Sequence, residues 1–109
     1  MIPRYEDEIA IVAQFTAKEG CAQDLLAAIY DVQGKTLAEP GCLRFVLHQG
    51  VEDPTTMTVV EKFASQAAFD SHLAQPYIKN LLEVVVPELV AVQNITFHKE
   101  VLAPEPVFA

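Results

Sequence analysis

The chain has 109 residues, enough for one hydrophobic core and one domain. Half of it is apolar (51%), 20% is charged and the net charge is −8, which excludes the basic footprint of a nucleic-acid binder and attraction to anionic membrane surfaces. No run approaches the ~18 consecutive apolar residues of a membrane span, and the polar, acidic residues 1–8 do not resemble a signal peptide. The surplus apolar surface is therefore expected to meet a partner subunit.

Residues 1–7 read as a short leader. Residues 8–16 (EIAIVAQFT) form a predicted strand with Ile9, Ile11, Ala13 and Phe15 on one face and Ala10 and Val12 on the other, so both sides are at least partly buried. After a turn, with Gly20 as N-cap, residues 21–38 read as a helix whose apolar face is Ala22, Leu25, Leu26, Ile29 and Val32. Pro40 stops it at Glu39, and Gly41 supplies a flexible turn.

Residues 43–49 and 56–63 (TMTVVEKF) are the second and third strands, joined by a loop containing Asp53-Pro54. Ser65 is an expected N-cap for a second helix. Pro76 opens a further helical segment with Ile78, Leu81, Leu82 and Val85 on one face, and Pro87 is expected to close it. Residues 91–99 make the last strand, and an extended, partly apolar tail follows.

Two cysteines are too few for a disulfide framework. Cys21 and Cys42 flank the first helix, whose ~1.5 Å rise per residue holds them about 27 Å apart, beyond the ~7 Å Cα limit of a disulfide. Both are expected to be free thiols, which suits a reducing cytoplasm.

The order β-α-β-β-α-β is the α+β, ferredoxin-like split βαβ arrangement with an antiparallel sheet. Its core spans residues 8–99, with 100–109 as tail. Helices cover one face of such a sheet, yet the strands carry apolar residues on both. Two sheets packed face to face in a homodimer, a dimeric α/β barrel, are expected to cover the other.

Two stretches carry a resemblance. The first is Ala38-Glu39-Pro40-Gly41-Cys42-Leu43-Arg44-Phe45. The second runs Glu61-Lys62-Phe63, Ala67-Ala68-Phe69, His72-Leu73 and Pro76-Tyr77. In this order and spacing the sequence resembles the antibiotic-biosynthesis-monooxygenase family over about residues 8–99. The resemblance implies a small-molecule substrate and, in many members, oxygenation of quinols or polycyclic phenols without a cofactor. Other members are haem-degrading enzymes, an autoinducer-2-processing isomerase and proteins of unknown role. The chain departs from the family in lacking Trp, which removes the Trp-containing haem-degrading site. It also has Phe45 where a tyrosine is frequent and Tyr77 where a histidine often follows the proline.

Cofactor-free oxygenation requires a base that deprotonates a phenol or hydroquinone, and a pocket dry enough to protect the intermediates. His72 is the first candidate for that base. Glu61, a carboxylate among Met57, Val59 and Phe63 on one strand face, is the second: it either orients His72 or acts as base itself. Phe63, Phe69, Tyr77, His48 and Arg44 are candidate substrate contacts. His98, in the last strand, is considered for a site role beside His48. None of the histidines has a local ligand spacing, so no metal is expected. The leading reading is a cofactor-independent monooxygenase of a small aromatic substrate. The alternatives are an isomerase of a small carbonyl compound and a non-catalytic dimeric binding or stress protein.

Overall fold

The computed structural model describes residues 7–104, so residues 1–6 of the leader and 105–109 of the tail lie outside it. Four antiparallel strands, β1 (Ile9–Ala17), β2 (Cys42–Gln49), β3 (Thr56–Phe63) and β4 (Val90–His98), pair in the order β2-β3-β1-β4. Helix α1 (Ala22–Leu37) connects β1 to β2. The β3–β4 connection contains α2 (Gln66–Leu73), α3 (Pro76–Asn80), a π turn (Leu81–Val85) and α4 (Val86–Leu89). This is the expected ferredoxin-like topology.

Alternation decides which side of the sheet the helices take. Ile9, Ile11, Ala13, Phe15 and Ala17 of β1 are buried, as are Met57, Val59, Glu61 and Phe63 of β3. On α1 the buried residues are Leu25, Ile29, Val32 and Thr36, one turn after another along one stripe. Among the described residues, no helix lies on the opposite sheet face. A row of Val46, Val60, Val12 and Thr96 crosses it through the strand register. On the helix side β4 lies at the edge of the covered area, which leaves Ile95 38% and Phe97 57% exposed.

Strand boundaries agree with the sequence within one residue, and Ser65 caps α2 as expected, its Oγ accepting from the Ala68 N–H at 3.1 Å. Two details differ. Gly20 is not the cap of α1. It adopts φ +77°, closing a turn in which the Cys21 N–H reaches the Lys18 carbonyl, and the helix starts from Cys21 one residue later. Pro87 does not close the helical segment. It sits in the first turn of α4, where a missing N–H is tolerated, and helix continues to Leu89.

Both cysteines are free. Among the described residues, no helix is long and apolar enough to cross a membrane.

Candidate active site

Three separate elements bring the polar groups together. Phe69 and His72, three residues apart on α2, share the face that meets the sheet and are both buried. Glu61 reaches the same place from β3 because the strand's alternation turns it inward with Val59 and Phe63. The third element is the turn between α1 and β2. There the Glu39 N–H bonds the Thr36 carbonyl and the Cys42 N–H bonds the Glu39 carbonyl. The Ala64 N–H then bonds the Gly41 carbonyl. At Gly41 the turn lies directly on α2: an added Cβ would stand 2.4 Å from the Ala68 Cβ. Glycine thus permits the approach that sets Glu39 beside His72.

The Glu39 carboxylate faces His72 Nδ1 at 3.0 and 3.2 Å and accepts the Tyr77 hydroxyl proton at 2.5 Å. An ionised carboxylate only accepts, so Nδ1 carries a hydrogen in this arrangement. The other ring nitrogen, Nε2, faces Glu61 Oε1 at 3.5 Å. That is ion-pair distance without hydrogen-bond alignment, and Oε1 is buried with no hydrogen-bond partner. Burial first, and the Glu39 charge second, push the Glu61 carboxyl up to about 7. Burial, followed by the bond to Glu39, also raises the Tyr77 phenol.

Aromatic rings hold the imidazole. Phe63 lies 4.7 Å from it between ring centroids, Phe69 6.1 Å and Phe45 6.3 Å. A cavity of about 60 Å³ opens beside the ring, between sheet and helices. Glu61 and His72 are the only polar side chains among its lining residues; Phe45, Phe69, Ile78 and Leu81 supply much of the apolar wall. Leu73 and Ile95, each 38% exposed, mark its open side. Such a site can exchange one proton with a ligand while presenting it an otherwise apolar surface.

Of the residues singled out from the sequence, His72, Glu61 and Phe69 line the cavity, while Phe63 packs on the His72 ring. Tyr77 is not on the wall: its hydroxyl is turned to Glu39 and to the Lys35 carbonyl, 3.2 Å away. Arg44 and His48 are exposed on the helix-free face, because β2 alternates around the buried Phe45. They do not reach the cavity. His98 is on that same face, bonded to the Thr96 hydroxyl at 2.8 Å. Glu39 escaped the sequence reading, in which the E-P-G-C stretch served as a helix stop and as part of the family resemblance, with no role for its carboxylate; an acid held in that turn was the available signal. Among the described residues, no group of three or more His, Cys, Asp and Glu side chains is arranged to hold a metal. Glu39 and Glu61 approach opposite edges of the His72 ring rather than one point.

A family model for antibiotic biosynthesis monooxygenase matches residues 8–84. The chain belongs to the antibiotic biosynthesis monooxygenase family. Membership in the antibiotic biosynthesis monooxygenase family supports a monooxygenase-like role in general terms. The chain is similar to a protein of known structure from Shewanella oneidensis, with 35% identity and a TM-score of 0.90 over 94% of this chain and all of the other. A Pseudomonas aeruginosa protein is 21% identical, with a TM-score of 0.78 over 93% and 99% of the two chains. A structure described as an antibiotic biosynthesis monooxygenase is 22% identical, with a TM-score of 0.75 over 83% and 95%. The latter two likenesses show the fold alone. No curated protein matches the chain.

Proposed function

We propose that the protein is a cofactor-independent monooxygenase of a small aromatic, quinol-like substrate, with the Glu61–His72 pair as its proton acceptor. The observation that carries this reading is the pair itself: two buried titratable groups 3.5 Å apart, alone among apolar residues on a cavity wall. A carboxyl near 7 beside an imidazole takes a proton from a phenolic hydroxyl at neutral pH more readily than either group does in isolation.

His72 serves as the base through Nε2, since Nδ1 is engaged by Glu39. Glu61 stabilises the imidazolium that forms. The resulting substrate anion gives an electron to oxygen far more readily than the neutral phenol. Recombination at a ring carbon yields a peroxide; the stored proton returns, one oxygen leaves as water with two substrate hydrogens, and the other remains as C=O. The substrate supplies all four electrons, so no cofactor is required for balance. Phe63 and Phe69 hold the imidazole and keep the cavity dry.

A benzene-sized ring fits a cavity of about 150 Å³. The substrate therefore extends past the 60 Å³ enclosed here toward Ile95 and the exposed Phe97 on β4. The apolar wall is poorly suited to the several hydroxyls of a small polar carbonyl compound, which weighs against an isomerase. A second copy of the chain is part of this reading, covering the valine row on the helix-free face.

The test is oxygen consumption by metal-stripped protein with quinols, naphthols and anthrones, against an autoxidation blank. Uptake above the blank supports the proposal; its absence across all three classes overturns it for these substrates.

A further inference from the structure

Tyr77 looks, from the sequence, like a substrate contact, and Glu39 like the end of a helix. Their geometry gives them a different task. Tyr77 donates to Glu39 Oε2 and also stands 3.2 Å from the Lys35 carbonyl at the end of α1. Glu39 in turn spans both Nδ1 contacts of His72. The line Tyr77–Glu39–His72 thus joins α3, the α1–β2 turn and α2, three elements that meet nowhere else through hydrogen-bonded side chains of this kind among the described residues. None of its atoms outside His72 faces the cavity.

We infer that Glu39, held by Tyr77, is a positioning residue that fixes His72 in the tautomer with hydrogen on Nδ1 and a free Nε2 toward Glu61 and the cavity. The physical reason is the one-way donor capacity of the groups. The carboxylate takes two donors, a phenol hydroxyl and a ring N–H, and has no hydrogen to offer. A neutral imidazole facing it must place its single hydrogen on Nδ1. With that choice removed, the hydrogen distributes between the two nitrogens, and part of the protein presents an N–H to the cavity where an acceptor is required. A second consequence concerns orientation. Glu39 is 11% exposed at its side chain, and the Tyr77 bond keeps the carboxylate from turning toward solvent.

This inference rests on the proposed proton-acceptor role of His72 for its catalytic meaning, but the tautomer is measurable without turnover. The experiment is long-range ¹H–¹⁵N correlation of the His72 ring in unliganded protein at alkaline pH. The wild type is compared with Glu39→Gln and Tyr77→Phe. The wild type is expected to show hydrogen on Nδ1 alone. Glu39→Gln should give averaged ring nitrogens, since an amide both donates and accepts. Tyr77→Phe, which keeps the ring packing, should shift part of the population the same way.

Where oxygen uptake is measurable, Glu39→Gln should lower kcat by about tenfold or more with little change in KM, the signature of a misplaced base rather than a lost contact. Glu39→Asp should restore part of that loss. An unchanged Nδ1–H tautomer in both Glu39→Gln and Tyr77→Phe overturns the inference, whatever the activity. Absence of uptake in the wild type overturns the proposed function and leaves the tautomer result standing. If Glu39→Gln fails to fold, Tyr77→Phe alone decides.

Discussion

Glu61 has the least comfortable surroundings of any acid described here. It is buried, one oxygen has no hydrogen-bond partner, and the neighbouring Glu39 is a like charge. Its carboxyl is held near 7 against an ordinary 4.5. The native protein therefore keeps a proton that the unfolded chain has already lost between those values, so stability falls as pH rises through that window and the deficit is complete above about 7. Glu61→Gln removes the deficit. Relative to wild type it should be stabilising by up to about 3 kcal/mol at pH 8, and close to neutral near pH 4. Urea unfolding of both proteins at the two pH values checks this; a difference that does not vary with pH contradicts the burial argument. Retention of so costly a group is what a proton-handling role predicts.

At the scale of elements, the site depends on how closely the α1–β2 turn approaches α2. The absence of a side chain at Gly41 lets the turn lie against Ala68, four residues before His72. Gly41→Ala puts a methyl 2.4 Å from the Ala68 Cβ, and neither neighbour has a flexible end that can yield. The helix must move. The variant should lose about 1–3 kcal/mol of stability and separate His72 from Glu39, read as a lower melting temperature together with a shifted His72 ring resonance. A melting temperature equal to wild type contradicts the packing. Elements were the scale most legible in the sequence: period-two alternation gave β1 and β3 with their faces, and 3.6-residue spacing gave α1. What escaped was local. A positive φ at Gly20 and a proline tolerated within a helix that has just made a π turn depend on backbone paths that spacing does not encode. Arg44 and Tyr77 escaped for another reason: residue type suggests what a side chain can bond, whereas strand register decides which side of the sheet Arg44 occupies and the packing of α3 beside the α1–β2 turn decides that the Tyr77 hydroxyl meets Glu39.

Across the whole molecule, one sheet face is covered by helices and the other carries Val46, Val60, Val12 and Thr96 in a continuous row. A composition that is 51% hydrophobic is explained if a second copy covers that row. Sedimentation velocity at tens of micromolar should give a dimer for wild type and a shift toward monomer for Val60→Lys, which sets a charge in its middle; a monomeric wild type removes the second copy from the account. The covered face, by contrast, forms the cavity within a single chain, so the proton chemistry proposed for it is testable directly. Initial oxygen uptake with the most responsive quinol, naphthol or anthrone, compared between metal-stripped wild type and His72→Ala at neutral pH, is the deciding measurement. Uptake well above the autoxidation blank is expected in the wild type, with a fall of at least about a hundredfold in the variant. Equal uptake in the two proteins would contradict the proposed role of His72 as base.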